Sequence, residues 1–440
     1  MRGVSRRAML RAALAAAALA LPQSVRRLAI QAQSGAGSLH LPVIVARPSP
    51  TTSPTPSPTP SVEPSPVSPG PSPTMEPRPP SGPVVGDGHV VHVHAAGATH
   101  WDYGSNYYGD YVDQSVVDAM MDVGVMTLTG LGSVAEAWRA IVPEYVPGRA
   151  VAVKVNMNNC YHCELPHVGC QEWQLALNAL IHPVNAVVSG LKRAYPAFEE
   201  RDVWVYEGTI GNSPPESRRR ISSRVTAGCR YPGVRFFDTG CVEPAGYDST
   251  SPTALVTWRP PAGIPTPPAM QVTDVLVEAS YVINMPIMRR HGGAGVTLAF
   301  KNHFGSVANC SPLHDWLLRD ELYPAGVVYS ALVDLYLNPN IAGKTVLTVG
   351  DGLYGNWESN TTKAKPWRTF GGAAANSLFL AADPVAIDCV MTDLLHAEMA
   401  VMPEADGYLR VAAQAGLGVY ERGDPWGGGY ASIRYDRREV

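Results

Sequence analysis

The chain contains 440 residues, 45% of them hydrophobic and 16% charged, a balance that is typical of a folded protein. Without its non-globular N-terminal part, about 350 residues remain, enough for one elaborate domain or two lobes. The formal charge of −4 gives the chain no general attraction for nucleic acid, so we expect no nucleic-acid partner, although a local basic patch is compatible with this balance.

The N-terminal segment reads MRGVSRRAMLRAALAAAALALPQS and resembles a twin-arginine export signal, with Met9 where Phe is commoner. The alanine-rich run after the Arg6-Arg7 pair is too short for a stable membrane span. No later segment has eighteen consecutive apolar residues, so we predict no other transmembrane span. Residues 1–32 are therefore predicted to be a signal region that the twin-arginine translocation machinery reads, which places the protein outside the cytoplasmic membrane or at the cell surface. An uncleaved apolar anchor is the alternative.

Residues 33–88 are rich in proline, serine and threonine, as in PSPTTSPTPSPTPSVEPSPVSPGPSPT. Such a segment lacks many backbone donors and cannot bury a core. We predict a disordered, extended linker that holds the following domain away from a surface. An ordered domain is predicted over residues 89–440.

From His89 onwards the predicted strands and helices alternate. HVVHVHA indicates a strand, 112–121 and 134–142 indicate helices, GRAVAVKVNMN a buried strand, and HPVNAVVSGLKRAY a helix with Pro183 in its first turn. DVWVYEG, a basic helix PPESRRRISSRVTAG, VRFFDTG, ASYVINMP, GVTLAFKN, TVLTVGDG and SLFLAAD follow, and Asp383 then caps a last predicted helix. This alternation predicts an α/β fold with a largely parallel mixed sheet flanked by helices.

Several of these strands end in polar residues, and in such sheets ligands bind beyond the carboxyl ends of the strands. The polar strand ends are Lys154 to Asn156, Glu207, Asp238, Asn284, Lys301-Asn302 and Asp351. Their number favours a shared polar rim over coincidence.

The central constellation consists of Arg289, His291, Lys301 and Asn302, on either side of the glycine loop GGAG. Two cations, an imidazole and an amide suit an anionic, oxygen-rich ligand such as a phosphate, a carboxylate or an enolate. The alternative is a buried hydrogen-bond network that pins the loop.

The same stretch, YVINMPIMRRHGGAGVTLAFKNHFG, resembles the signature of the domain of unknown function 362 family. VAVKVNMN resembles the family's early Lys-x-Asn strand, VWVYEG its second strand, and LTVGDGLYG and AADPVAIDCV its closing segments, so that the likeness covers roughly 151–395. The resemblance implies the α/β fold and a candidate site but no reaction. Arg289 stands where the family often has lysine. The chain lacks the C-x₂-C-x₂-C-x₃-C run of some relatives, so a ferredoxin-type iron–sulfur cluster is not expected.

Residue roles follow from the motif and the strand ends. We predict that Lys301, His291 and Glu207 are catalytic. The predicted ligand-binding residues are Lys154, Asn156, Arg289, Asn302 and Asp351. Turn formation is the alternative for Asp351, which precedes glycine. A metal set of His291, His303, His314 and Asp351 is a weaker hypothesis, because their spacing matches no tight motif.

The stretch NNCYHCELPHVGC places Cys160, Cys163 and Cys170 within eleven residues. A C-x₂-C pair is typical of a metal knuckle or a redox pair, but no second pair follows downstream. In an exported protein a disulfide among the three is at least as well supported as a metal site. The residues do not identify the cofactor, and a metal is one candidate.

These observations predict an exported protein that acts on or binds an anionic small molecule, with a metal or redox centre as an optional aid. The alternative is a non-catalytic extracytoplasmic binding protein or surface domain. Neither the substrate nor the reaction follows from the residues.

Overall fold

The computed structural model describes residues 87–160, 175–209, 220–317, 328–399 and 403–440. The predicted signal region 1–32 lies outside the described residues, as does the predicted linker up to residue 86.

Short strands and helices alternate along the described ranges, as the sequence predicts. The strands are β1 (His89–His94), β2 (Val151–Lys154), β3 (Val203–Tyr206), β4 (Arg235–Asp238), β5 (Glu243–Pro244), β6 (Tyr281–Asn284), β7 (Ile287–His291), β8 (Gly295–Val296), β9 (Thr345–Asn356), β10 (Ser377–Ala381) and β11 (Arg434–Glu439). The helices are α1 (Gln114–Thr129), α2 (Val134–Ile141), α3 (Ile181–Ala194), α4 (Ser223–Ala227), α5 (Asp274–Glu278), α6 (Ala299–Asn302), α7 (Ala331–Tyr336), α8 (Pro384–Glu398) and α9 (Pro403–Gln414).

The strands form one mixed sheet in the order β11-β1-β10-β9-β6-β2-β3-β4-β5, and β7 and β8 lie off this path. Strands β4, β3, β2, β6 and β9 run parallel to their neighbours in that order. Strands β10 and β1 add antiparallel pairings. The predicted α/β fold with a largely parallel mixed sheet is confirmed.

The two faces of the sheet carry separate apolar cores, because successive side chains of a strand point to opposite faces. On β2, Val151 and Val153 pack into the core that contains residues of α1, α2 and α3. Ala152 packs into the other core, with residues of α6, α7, α8 and α9. Polar groups at the strand ends are therefore divided between two faces.

The helix termini show why the sequence folds at these positions. Asp113 caps α1 by accepting from the amides of Ser115 and Val116, and Gly130 ends the helix with φ of 70°. The predicted cap at Asp383 is confirmed, since its Oδ1 accepts from the amides of Val385 and Ala386. Of the predicted basic helix that ends at Gly228, residues 210–219 lie outside the description, residues 220–222 are not helical, and only Ser223–Ala227 forms a helix, α4.

The segment GVTLAFKN differs from the prediction of a single strand. Only Gly295–Val296 is extended, paired with β7 as a hairpin, and a helix begins at Ala299. The Asp388 carboxylate on α8 accepts from the amides of Ala299 (2.7 Å) and Phe300 (3.4 Å) and so caps α6 from a distant helix. A short apolar run fits a buried helix as well as a buried strand, and this cap decides between them.

Among the helices in the described ranges, none is long and apolar enough to cross a membrane.

Candidate functional site

The carboxyl ends of β2, β3 and β6 meet at one edge, as the strand-end pattern predicts, whereas Asp351 lies within β9 and not at its end. Lys154 lies opposite Tyr206 of β3 on one side and Asn284 of β6 on the other. The helix α6 lies across this edge and adds Asn302. Four side chains thus come together, and we call them the Lys154 network: Lys154, Glu207, Asn284 and Asn302.

Hydrogen bonds connect all four members of the Lys154 network. The ammonium of Lys154 donates to Glu207 Oε2 (3.2 Å), Asn302 Oδ1 (3.4 Å) and the carbonyl of Val155 (2.6 Å). The amide of Asn302 donates in turn to Asn284 Oδ1 (2.8 Å) and to the Lys154 carbonyl (3.1 Å). The network therefore fastens α6 to the ends of β2 and β6.

The Lys154 network is closed to solvent, since none of its members is more than 4% exposed. Burial lowers the pKa of Lys154, and the neighbouring Glu207 carboxylate opposes this shift. Gly305 packs directly on the ion pair, and a Cβ there would lie 2.5 Å from Lys154 Nζ and would clash with Glu207 Oε1. This is the geometry of a buried network that pins a loop. The ligand-binding role of Lys154 and Asn302 and the catalytic role of Glu207 stay predictions.

Arg289 lies on the opposite face of the sheet, since its neighbour Ile287 belongs to the core of α1 to α3. Its guanidinium is fully buried and donates to Asn156 Oδ1 (2.5 Å), the Leu177 carbonyl (2.5 Å) and Thr297 Oγ1 (3.2 Å). These bonds hold the segments after β2 and before α3 in place. The sequence groups Arg289 with Lys301, but the fold pairs it with Asn156.

Asp351 is 3% exposed and lies on β9 on the same face as Arg289, since its alternate neighbours Val349 and Leu353 pack into that core. Burial raises the pKa of the Asp351 carboxyl to about 7, although the Leu353 amide donates to it at 3.1 Å. Its protonation therefore changes near neutral pH. The ligand-binding role of Asp351 stays a prediction.

The remaining predicted residues, Lys301 and His291, meet a third group that the loop after α6 supplies, His314. Lys301 Nζ lies 3.4 Å from His314 Nε2 and 3.7 Å from the centre of the Phe304 ring. The rings of His291 and His314 stack with centroids 5.7 Å apart and planes inclined by 22°. We call Lys301, His291, His314 and Phe304 the Lys301 cluster.

Hydrogen bonds assign the tautomers of both imidazoles. His291 Nδ1 accepts from the amides of Gly293 and Ala294, both at 3.0 Å, so the proton of the neutral ring is on Nε2. His314 Nδ1 donates to the Ser311 carbonyl at 3.1 Å, so its Nε2 accepts from Lys301. The cluster thus contains an ammonium and, on the Nε2 of His291, an imidazole N–H.

The Lys301 cluster lies at the boundary between protein and solvent. Lys301 is 8% exposed, and both histidines are half-buried. Such groups can donate charge-assisted hydrogen bonds to an anion, and imidazoles can transfer protons near neutral pH. Of the residues predicted to act in catalysis, Lys301 and His291 are therefore placed together, whereas Glu207 lies in the Lys154 network.

The predicted metal set is not brought together as a whole. His303 is fully buried, its Nδ1 bonds Ser306 Oγ at 3.0 Å, and burial together with the charge of Lys154 holds its pKa well below the usual value. Asp351 lies on the other face of the sheet. Within the described ranges no group of three or more histidines, cysteines or carboxylates is placed to hold a metal ion.

The predicted cysteine site lies largely outside the described residues, because Cys163 and Cys170 fall in 161–174. Cys160 is buried in the core that contains residues of α1, α2 and α3. Cys241, in the loop after β4, is disulfide-bonded. The choice between metal and disulfide at Cys160, Cys163 and Cys170 stays open.

Sequence reasoning missed Phe304 and Gly305. Phe304 follows Lys301 by three residues, a spacing that brings side chains together only on a helical turn. The spacing between Lys301 and Phe304 therefore indicates a contact only if the segment is helical, and the sequence predicts a strand there.

Residues 248–393 match the model of the family described as Domain of unknown function (DUF362), about a third of the chain. The matched stretch contains Arg289, the whole Lys301 cluster and Asp351, whereas Lys154, Asn156 and Glu207 precede it. No curated protein matches the chain. The predicted resemblance is thus confirmed over this stretch: from residue 248 to residue 393 the chain is similar to the DUF362 family.

Proposed function

We propose that the chain binds an anionic small molecule at the Lys301 cluster. The observation that carries this proposal is the convergence of Lys301, His291 and His314, which come from α6, from the end of β7 and from the turn of 3₁₀ helix Pro312–Trp316. These three nitrogen-bearing side chains come from separate segments, and a buried ammonium beside two half-buried imidazoles suits a carboxylate or a phosphate.

The ammonium of Lys301 supplies the charge, and His291 Nε2 supplies a second donor. The ring of Phe304 beneath Lys301 fixes the direction of the ammonium by a cation–π contact. Partial burial strengthens both interactions, because the local dielectric is lower than that of water. The Lys154 network supports the site by holding α6 on the sheet.

Proton transfer to or from the bound anion is the catalytic form of this proposal. His291 and His314 are the groups for it, since imidazole is the side chain best matched to acid–base chemistry at neutral pH. One observation favours the simpler, non-catalytic form: the Nε2 lone pair of His314 already accepts from Lys301.

We also propose that the protein works outside the cytoplasmic membrane. The support is the N-terminal sequence, in which an arginine pair precedes a short apolar run, and the proline-rich stretch that follows it.

Lys301→Met tests the anion site, because methionine keeps an apolar stem on Phe304 and removes the charge. In a thermal-shift assay, inorganic phosphate, acetate and citrate should raise the melting temperature of the wild type. The rise in melting temperature should be at least tenfold smaller in the variant. Lys192→Met is the matched control, since Lys192 also lies over an aromatic ring, 5.2 Å from the centre of Tyr231. Equal responses of wild type and Lys301→Met to every anion would remove the assignment.

A further inference from the structure

A cavity of about 420 Å³ lies beside the loop that carries His314. Its lining is mostly apolar, and we call it the Met270 cavity. The lining residues are Tyr247, Leu255, Pro268, Ala269, Met270, Gln271, Ala308, Asn309 and Pro312. A volume of this size is in the range of small-molecule sites, which are typically apolar with a few polar groups at one end.

One loop belongs to both the Met270 cavity and the Lys301 cluster. Pro312 lines the cavity and is the first residue of the 3₁₀ helix Pro312–Trp316 that contains His314. The amide of Ser311 donates to Asn309 Oδ1 at 3.1 Å, and the carbonyl of Ser311 accepts from His314 Nδ1 at 3.1 Å. A cavity wall and the imidazole are therefore held by the same residue.

Tyr247, another lining residue, is connected to the backbone of the segment that carries Phe304. Tyr247 donates to the Gly208 carbonyl (2.5 Å), and the Gly208 amide donates to the Gly305 carbonyl (2.7 Å). The hydroxyl of Thr209 donates to the Phe304 carbonyl at 2.9 Å. The apolar cavity and the basic cluster thus share one frame of hydrogen bonds.

We propose that the ligand is an amphiphilic anion, a carboxylate or phosphate head with a hydrocarbon body. This deepens the proposed function and rests on it. The head binds to the Lys301 cluster and the body occupies the Met270 cavity. Charge complementarity selects the head, and the apolar lining selects the body, to which the flexible Met270 side chain adapts.

A small inorganic anion would use only the basic end, and a neutral hydrocarbon only the apolar end. An amphiphilic anion uses both. Each methylene that enters the cavity should strengthen binding about fourfold, the factor that corresponds to about 0.8 kcal/mol of transfer free energy.

The test is a chain-length series of straight-chain carboxylates from acetate to octanoate, with alkyl phosphates of the same lengths, titrated calorimetrically into the full chain. Affinity should rise about fourfold per methylene until the cavity is full, and 1-octanol should bind at least tenfold more weakly than octanoate. The carboxylate and phosphate arms identify the head group.

Two variants address the cavity directly. Ala308→Phe fills the cavity and should abolish the rise of affinity with chain length. Met270→Gln is a smaller change, for use if Ala308→Phe does not fold, and should weaken the binding of the longer chains. Ala227→Phe is the control, because Ala227 lines a different cavity, of about 460 Å³, between α4 and the start of α3.

The outcomes separate the two proposals. If acetate and phosphate bind but affinity does not depend on chain length, the amphiphilic ligand is refuted and the anion site stands. If octanol binds as well as octanoate and Lys301→Met changes neither, the anion site is refuted as well. If no member of either series binds, both proposals fail. An unchanged series in Ala308→Phe and Met270→Gln would refute the assignment to this cavity.

Discussion

Replacing Lys154 by methionine should destabilise the fold, because it leaves the Glu207 carboxylate buried without its cation. Breaking a buried ion pair in this way typically costs about 3–5 kcal/mol. The amides of Met157 and Thr209 still donate to Glu207, both at 3.3 Å, so we expect a value near the lower end, about 3 kcal/mol. The free energy of unfolding in urea at pH 7 measures it.

Glu207→Gln should cost less, about 2 kcal/mol, for a reason that the structure supplies. Burial already lowers the pKa of Lys154, so without its partner the lysine can lose its proton, and Asn302 and the Val155 carbonyl still accept from it. The double variant removes both charges. Its destabilisation should therefore be smaller than the sum of the two single values by roughly 1–3 kcal/mol.

The exposed pair Lys192–Glu200 is the control for this cycle, since Lys192 is 42% exposed and such pairs contribute about 1 kcal/mol or less. A wild-type unfolding midpoint for Lys154→Met, or strictly additive effects in the double variant, would refute the view that the Lys154 network is one coupled unit.

Four further experiments test a buried carboxyl, a core ring, the N-terminal arginine pair and the disulfide. The pKa of Asp351 is raised to about 7, so the stability that its carboxyl contributes is fully present below about pH 4 and is lost as the pH rises through 7. The free energy of unfolding of the wild type should therefore fall with pH in this range. Asp351→Asn should reduce the slope of that fall by up to about 1.4 kcal/mol per pH unit, as measured by unfolding at a series of pH values. An identical slope in both proteins would contradict the assignment. Phe300→Ala should lower the free energy of unfolding by about 3–5 kcal/mol, because the ring is fully buried, and a smaller loss would show that α6 packs less tightly than described. Replacing Arg6-Arg7 by two lysines should block export in a fractionation assay, and normal export would exclude the twin-arginine route. Thiol titration of the unfolded, unreduced protein should find fewer than the seven thiols of the sequence, because Cys241 is disulfide-bonded, and seven would contradict it.

The alternation of apolar runs was enough to predict the sheet and the meeting of its strand ends. Lys154 and Asn284 lie opposite each other because β2 and β6 are parallel strands of similar length that end at the same edge. Each strand end can be recognised from its own local sequence. The burial of Lys154 could not be predicted, because it depends on α6 and Gly305 covering that edge.

The helix α6 itself escaped prediction because its cap comes from Asp388, almost ninety residues further along the chain. No local pattern distinguishes a strand from a helix in LAFKN when both would be buried. The unpredicted helix also explains why Arg289 and Lys301, which the sequence groups together, lie apart in the fold. Alternation along β7 places Arg289 on one face, and the turn into α6 carries Lys301 to the other side of the motif.

The two-ended attachment of α6 has a consequence for motion. Four residues are too few to form a stable helix alone, so this segment exists only while Asp388 holds its first amides and Asn284 and Lys154 hold its last residue. Lys301 therefore cannot swing away from His314 by a local fluctuation of its own backbone. An opening that displaces it must break the hydrogen bonds to Asp388 or those to Asn284 and Lys154, so we expect the amides of this segment to exchange slowly.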